Sequence, residues 1–319
     1  MLELGRISKV YKVGAFGGKD LTAVRDVSFD VQAGEVVSLI GESGSGKSTI
    51  GKMILRLSPV TNGVITLDGV DISTFKRKQL KEYYRNVQGV FQDPFSCYNP
   101  IFKADRVIGM IKDEYFPEVS GAEWSGKVDA SLEAVRLDPS QVLNKYPHQL
   151  SGGQLQRLLI ARALLLDIKL LVADEIISML DASTRIDVLN LLGDLKARGL
   201  GVLFITHDLS LGNYISEKTV ILRRGRVVEM GVTDRVFGSP LHPYTKSLLA
   251  SVPQLHKKWE QVEVELAAQG AGLSGRCVYH ERYPSAGKAP GGDGGPPTLA
   301  EAEDGHFVAC FRLDGDGTC

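Results

Sequence analysis

The 319-residue chain lacks a long apolar run. Its most apolar segments, 158–166 (LLIARALLL) and 169–176 (KLLVADEI), are short and contain charged residues. A membrane-spanning helix needs about 20 apolar residues. The first residues, MLELGRISKVYKVG, also lack the apolar core and small-residue cleavage site of a signal peptide. We therefore expect a soluble chain of the cytoplasm that reaches a membrane only through a partner.

The chain also has little net charge and few cysteines. The chain has 37 Lys and Arg against 38 Asp and Glu, and this formal net charge of −1 argues against wholesale nucleic-acid binding. With 43% hydrophobic and 24% charged residues, the composition excludes a disordered or fibrous chain. Four cysteines are too few for a disulfide scaffold. Three of them lie near the C-terminus, at Cys277, Cys310 and Cys319.

Strand and helix patterns alternate along much of the chain. Residues 21–40 predict strands that end in a buried apolar run, and a glycine loop and a helix follow. Residues 101–149 have helical patterns only, and a second strand–helix series covers 154–223. This order predicts one α/β domain with a helical insertion. The composition changes near residue 233, and residues 270–319 are rich in Gly and Pro, which is typical of a linker.

The glycine loop, GESGSGKS at 41–48, matches the pattern G-x-x-x-x-G-K-[ST] between a predicted strand and a predicted helix. In this pattern, backbone N–H groups and a helix N-terminus bind phosphates. Lys47 would reach the β- and γ-phosphates of a nucleotide, and the Ser48 hydroxyl would bind Mg²⁺. The alternative, a plain glycine turn, does not account for the flanking strand and helix. The predicted nucleotide-binding residues of this loop are Gly41, Ser43, Gly44, Ser45, Gly46, Lys47, Ser48 and Thr49.

Two acids follow a second apolar strand. Asp174 ends the run LLVAD and can hold Mg²⁺ beside Ser48, while the next residue, Glu175, can polarise an attacking water as a general base. The alternative is a pair of exposed acids at the end of a strand. The phosphate-binding loop in the same chain favours the functional interpretation, although such a loop alone fits kinases, GTPases and many ATPases.

A second glycine motif, LSGGQ at 150–154, stands just before a predicted helix. Ser151 is a natural N-cap, and Gly152 and Gly153 allow a ligand to approach the backbone. One nucleotide does not need two anion-binding helix starts from the same protomer. A dimer in which each LSGGQ closes on the other protomer's ATP would use both, with contacts expected from Ser151, Gly152, Gly153 and Gln154.

The succession of LSGGQLQR and LLVADE resembles the ATP-binding cassette (ABC) family over residues 1–235. The resemblance implies that Tyr11 stacks on adenine and that Gln92 contacts Mg²⁺ or the attacking water. It also implies that Asp181 lies in the loop at which two protomers communicate. His207 would hold the γ-phosphate and Glu175 in place. The chain departs from the family at Ile176-Ile177, where a proline is usual, and we expect activity to survive this change.

The resemblance implies an α/β P-loop NTPase cassette with an antiparallel β edge, a helical subdomain at about 95–160 and a C-terminal extension at 236–319. Because the chain has one cassette and no fused membrane span, we expect four partners in an importer. They are a second ABC ATPase subunit, two transmembrane permease subunits and an extracytoplasmic substrate-binding protein, with no nucleic acid. The insertion 101–149 would dock on a permease, and the chain would lie at the cytoplasmic face of the membrane.

The tail resembles one branch of the family. Pro240–Thr245 (PLHPYT) is similar to the extension of oligopeptide and dipeptide importer ATPases, and Phe16–Asp20 (FGGKD) to the F partner of their D/F heterodimers. Such tails often hold an iron–sulfur cluster on four cysteines. Here Cys277 and Cys310 match two of the four positions, and two thiolates cannot ligate an ordinary cluster. We expect a cluster-free tail, the alternative being a cluster improvised with Cys319 or His280.

The function predicted from the sequence is ATP hydrolysis that powers import of oligopeptides or dipeptides. The catalytic residues are expected to be Glu175, His207 and Gln92, with Mg²⁺ at Ser48, Gln92 and Asp174. Alternatives within the family are an oligosaccharide or nickel importer and a soluble regulatory or DNA-repair ATPase. A P-loop kinase would leave LSGGQ and His207 without a role.

Overall fold

The computed structural model describes residues 1–13, 18–166, 168–251 and 299–309. They form two β-sheets with helices packed around the larger one. The α/β cassette predicted from the sequence is therefore confirmed. Within these residues, no helix is both long and apolar enough to cross a membrane.

The smaller sheet is antiparallel and has the order β2-β1-β4-β5. Its first strand was not predicted, because two positions in LELGRISKVYKV interrupt the alternation of apolar and polar residues. The pairing with β2 shifts register between Leu4 and Ile7, and the pairing with β4 shifts between Gly5 and Ser8. Arg6 lies in both irregular stretches and has a φ of 50°. The four strands are β1 (Leu2–Val13), β2 (Lys19–Val31), β4 (Asn62–Leu67) and β5 (Val70–Asp71).

The larger sheet has eight strands in the order β11-β12-β10-β9-β3-β8-β7-β6. The five strands from β9 to β6 in this order are parallel, and the other three pair antiparallel. The parallel strands are β3 (Val36–Ile40), β6 (Val87–Val90), β7 (Leu170–Asp174), β8 (Gly201–Thr206) and β9 (Lys218–Arg223). The antiparallel ones are β10 (Arg226–Val232), β11 (Leu299–Glu303) and β12 (His306–Ala309).

The parallel strands are apolar on both faces because the sheet has a core on each side. In β7, Leu171 and Ala173 face one core, and Leu170 and Val172 face the other. The same alternation of period two continues in β8. This two-sided burial explains why the sequence shows continuous apolar runs at these strands.

Ten α-helices surround the sheets within the described residues. The insertion predicted at 101–149 is helical, which confirms that expectation, and it packs on α6 around Trp124, Leu132 and Leu155. The helices are α1 (Lys47–Ile54), α2 (Arg77–Asn86), α3 (Arg106–Tyr115), α4 (Gly121–Ala134), α5 (Pro139–Val142), α6 (Gly152–Leu164), α7 (Ala182–Ala197), α8 (Leu209–Ile215), α9 (Thr233–Gly238) and α10 (Pro243–Ala250).

The end of the described chain returns to the sheet. Strands β11 and β12 form a hairpin that extends the larger sheet beside β10, with His306 opposite Gly231. The expectation of a linker over 270–319 is therefore wrong at 299–309, because the abundance of Gly and Pro in the segment as a whole obscured two short strands joined at Asp304-Gly305. The insertion noted at 16–20 lies partly outside the described residues.

Candidate functional site

Four segments singled out from the sequence follow neighbouring parallel strands at one edge of the larger sheet. The loop 41–46 follows β3, Gln92 follows β6, Asp174 ends β7 and His207 follows β8. These strands lie side by side in the order β3, β8, β7, β6. Because the carboxyl ends of parallel strands share one edge, the fold brings the four segments together where α/β proteins bind ligands.

The loop 41–46 fits against its surroundings only with glycine at two positions. A Cβ on Gly41 would lie 2.1 Å from the carbonyl oxygen of Leu222 in β9. Gly46 has a φ of 108°, and a Cβ there would lie 2.6 Å from the carbonyl oxygen of Ala23 in β2. The loop therefore packs its backbone directly on both sheets, and its N–H groups remain available for a ligand.

The first turn of α1 presents free backbone donors. No side chain caps the helix at Gly46, and its first turn contains no acid, so its leading N–H groups and positive dipole end are unopposed there. Lys47 begins the helix and is 5% exposed; its Nζ donates to the carbonyls of Gly41 at 2.7 Å and Glu42 at 2.8 Å. Burial lowers the pKa of Lys47, while the charges of Glu175, Asp174 and Glu42 oppose the shift.

Ser48 and Asp174 are joined across the site. The Ser48 hydroxyl donates to Oδ1 of Asp174 at 3.2 Å. Burial raises the pKa of Asp174, and Glu175 adds to this rise, whereas the bond from Ser48 opposes it. A hydroxyl and a buried carboxylate supply hard oxygen ligands, which is the donor set that fits Mg²⁺.

Glu175 and His207 meet at the ends of adjacent strands. Nδ1 of His207 lies 3.2 Å from Oε1 of Glu175. Glu175 has a φ of 51°, uncommon outside glycine, and its N–H donates to the carbonyl of Ile205 at 2.9 Å. Both side chains line a cavity of about 420 Å³, together with the start of the phosphate loop and Leu248. Backbone strain of this kind is common where a side chain must be aimed.

Gln92 and Tyr11 remain apart from these contacts. Gln92 is exposed, two residues beyond β6. Tyr11 lies in β1, half-buried, with the Lys9 ammonium 4.9 Å from its ring centre. In the described parts of the chain, neither side chain has a hydrogen bond to the loop 41–49.

The LSGGQ segment forms a capped helix start that does not line the cavity. The Ser151 hydroxyl accepts from the Gln154 N–H at 3.2 Å, and the Gln154 side chain accepts from the Ser151 N–H at 2.9 Å. Its nearest neighbours belong to other segments: a Cβ on Gly153 would lie 2.7 Å from the Thr184 methyl group. This reciprocal pair is a capping box, and it leaves the glycine backbone on a fixed helix end.

Asp181 caps the neighbouring helix α7. Its carboxylate accepts from the Ser183 hydroxyl at 2.6 Å and from the Thr184 N–H at 3.0 Å. These hydrogen bonds hold the pKa of Asp181 well below its usual value. Because Thr184 also abuts Gly153, the start of α7 and the LSGGQ segment form one surface.

Two tail residues belong to the site and were not predicted as site residues. The Tyr244 hydroxyl accepts from the N–H of Glu42 at 3.2 Å, and Leu248 of the same helix lines the cavity. The HPYT motif is the sequence signal for these residues, although by resemblance it indicates only a branch of the family.

The tail cysteines expected to matter for an iron–sulfur cluster, Cys277 and Cys310, lie outside the described residues. Cys97, which the structure does describe, is free and exposed. In the ranges that are described, no group of three or more His, Cys, Asp and Glu is placed to hold a metal ion by itself.

Comparison with known proteins identifies two families that match parts of this chain. The ABC transporter family matches residues 24–178, and the family of the oligopeptide/dipeptide transporter C-terminal region matches residues 228–289. The chain is 39% identical over 295 residues to the oligopeptide transport ATP-binding protein OppF of Bacillus subtilis, covering 92% of this chain and 91% of that protein. It is 38% identical over 303 residues to OppF of Salmonella typhimurium, covering 93% and 89%.

A solved structure has the same fold. It is the dimeric, post-hydrolysis state of an ATP-binding cassette bound to ADP and Pi, with 30% identity and a TM-score of 0.65. The match covers 73% of this chain and 99% of the cassette.

Proposed function

The chain belongs to the ABC transporter family, with the C-terminal region of oligopeptide/dipeptide transporters, and we propose that it hydrolyses ATP to power a peptide importer. The observation that carries the proposal is the cavity at the sheet edge. It combines the phosphate loop with Glu175 and His207, and the Ser48–Asp174 pair lies beside it. The near-complete overlap with two OppF proteins supports the peptide cargo.

ATP binding would use groups that the loop and α1 leave free. The N–H groups of residues 43–49 and the positive end of α1 would bind the phosphates. Lys47 would exchange its contacts with the loop carbonyls for contacts with the β- and γ-phosphates. Tyr11 would stack on the adenine. Ser48, Asp174 and Gln92 would hold Mg²⁺, which when bound supplies positive charge against the phosphate oxygens.

Hydrolysis would depend on the carboxylate of Glu175. It would accept a proton from the attacking water, and the imidazole of His207 would fix its orientation through the 3.2 Å contact. The second ring nitrogen of His207 would then contact the γ-phosphate. The strained backbone at Glu175 aims its carboxylate from the end of β7 into the cavity.

A second ATPase subunit would complete each site. The chain's own LSGGQ segment does not line its own cavity, so Ser151, Gly152 and Gly153 would bind the γ-phosphate held by a partner subunit. Asp181 lies beside this segment through Thr184 and would transmit the state of one site to the other. Closure of two such subunits on two ATP molecules would drive transport, and hydrolysis would reset it.

The helical insertion would dock on one of the two permease subunits. It contains a groove of about 620 Å³ lined by Phe102, Trp124 and Tyr146 among others. Ile101 at its edge is 75% exposed. Exposed apolar side chains around a groove are typical of a partner-binding surface. The permeases would hold the chain at the cytoplasmic face of the membrane and receive cargo from an extracytoplasmic substrate-binding protein.

Reconstitution of the complete transporter tests this proposal. The full chain would be co-expressed with two permease subunits, a partner ATPase and a binding protein from the same source, and the complex inserted into liposomes. We expect uptake of oligopeptides that requires ATP and is lost with Lys47→Ala. Uptake of oligosaccharide or nickel instead would overturn the peptide assignment. DNA-stimulated ATPase activity without membrane subunits would overturn the transport role.

A further inference from the structure

The peptide unit that opens the phosphate loop is held from both sides. Its carbonyl, that of Gly41, accepts from Lys47 Nζ at 2.7 Å. Its N–H, that of Glu42, donates to the hydroxyl of Tyr244 at 3.2 Å. Tyr244 lies 202 residues further along the chain, in the tail helix α10. Because one peptide plane carries both bonds, Tyr244 fixes the direction in which the carbonyl meets Lys47.

The ring of Tyr244 is itself held in place. It is 6% exposed, and the Arg223 guanidinium lies 4.7 Å from its centre. Arg223 follows Leu222, whose carbonyl contacts Gly41 so closely that only glycine fits there. The end of β9 therefore supports both the loop and the tyrosine that bonds to it. Burial raises the pKa of Tyr244, so its hydroxyl stays neutral at physiological pH.

A fully buried carboxylate anchors the turn that leads into α10. Glu229 of β10 accepts from the backbone N–H groups of Leu241 at 2.8 Å and His242 at 2.9 Å. Its Oε1 also lies 2.8 Å from Nε2 of His306, which is fully buried in β12. The Nδ1 of His242 then accepts from the N–H of Tyr244 at 3.0 Å. A buried carboxylate with three donors is a strong and directional fixed point.

We propose that Tyr244 is a positioning residue for the phosphate loop, held there by the contact between Glu229 and His306. The C-terminal extension then sets the nucleotide affinity of the cassette through one hydrogen bond to the loop. Without that bond the peptide between Gly41 and Glu42 can rotate, and the loop N–H groups that follow it are no longer held ready for the phosphates before the nucleotide binds. This inference rests on the proposed role of the loop as an ATP site.

Tyr244→Phe in the full chain tests the first step, because it keeps the ring on Arg223 and removes only the hydroxyl. We expect the Kd for MgADP, measured by calorimetry, to rise by about three- to tenfold, which is the value of one neutral hydrogen bond. In the assembled transporter the KM for ATP should rise by the same factor, with kcat changed by less than about twofold. Tyr214→Phe is the matched control, since its hydroxyl bonds to Asn190 on the surface, and it should change neither value.

Variants of His306 test the second step, in which the contact between Glu229 and His306 holds Tyr244 in place. His306→Ala removes a donor from Glu229 and should raise the Kd for MgADP in the same direction as Tyr244→Phe. His306→Gln retains a donor and should restore most of the affinity. The double variant Tyr244→Phe/His306→Ala should bind no more weakly than Tyr244→Phe alone, because both act through one bond.

Two outcomes would overturn the inference while leaving the ATP site intact. One is a Kd for Tyr244→Phe equal to that of Tyr214→Phe, and the other is full additivity in the double variant. If His306→Ala does not fold, the result for Tyr244→Phe decides alone. Failure of the wild-type chain to bind MgADP would instead contradict the proposed function itself.

Discussion

Nδ1 of His207 lies 3.2 Å from Oε1 of Glu175, at the ends of two adjacent parallel strands. The two residues are 32 positions apart, and the sheet brings them together because β7 and β8 pair in parallel. The Glu175 N–H donates to the Ile205 carbonyl at 2.9 Å. This bond fixes the Glu175 backbone against β8. The carboxylate is thus oriented by a neighbouring strand and not by its own loop alone.

His207→Ala should lower ATP turnover in the assembled transporter by at least about tenfold, because the Glu175 carboxylate loses the group that orients it. The Kd for MgADP should stay within about twofold, since the phosphate loop is unchanged. Steady-state ATPase assays and calorimetry measure the two values. Equal losses of turnover and of MgADP affinity would point to a damaged loop and contradict a positioning role.

Gly41→Ala should weaken MgADP binding by about 10²-fold, because the loop must move away from β9. The added Cβ would lie 2.1 Å from the Leu222 carbonyl oxygen, so either the loop backbone or the β9 backbone must move to make room for it. Calorimetric titration with MgADP measures the effect. Gly126→Ala is the control: it lies inside α4 with nothing within 4 Å, and should stabilise the chain by about 0.5–1 kcal/mol. Unchanged MgADP affinity in Gly41→Ala would contradict the packing described.

Ser151→Ala should leave MgADP binding to the chain's own loop intact and lower the ATPase activity of the assembled transporter. It removes a helix cap, which costs about 1 kcal/mol, together with the hydroxyl proposed to reach the partner's nucleotide. Ser120→Ala removes a similar cap from α4, where the Ser120 hydroxyl accepts from the Glu123 N–H at 3.3 Å. If both variants lower ATPase activity equally, Ser151 acts only as a cap.

Stability should fall below pH 6.5 through His242. Burial, with the charges of Arg223 and Lys246, lowers its pKa from 6.5 to about 3 in the folded chain. Between those values the unfolded chain binds a proton that the folded chain does not, so the stabilising contribution is complete above pH 6.5 and declines in acid. At pH 5 the loss amounts to about 2 kcal/mol in the free energy of unfolding.

His242→Asn is the matched variant for this prediction. The shorter amide oxygen can still accept from the Tyr244 N–H at the start of α10, but it does not titrate. Urea unfolding at pH 7 and pH 5 should show that the free energy of unfolding falls less in the variant than in the wild type. The two proteins share all other titrating groups, so the difference isolates His242. Parallel pH dependence in both proteins would exclude His242 as the source.

The sequence predicted the parts of the site that are local in the chain. A buried strand, a glycine loop and a helix start are encoded within residues 36–54, and parallel strands place Asp174, Glu175 and His207 at the same edge. The contact between Glu42 and Tyr244 was beyond prediction, because it spans 202 residues and depends on how α10 packs on β9. Strand β1 was missed since its bulges break the alternation of period two.

The most direct test of the account is the ATPase activity of the assembled transporter carrying Glu175→Gln, compared with its MgATP affinity. The amide has nearly the same shape as the carboxylate and cannot accept the proton of the attacking water. We predict that MgATP binding is retained and that turnover at this site falls by about 10²-fold or more. Turnover close to that of the wild type would contradict the role of Glu175 as general base.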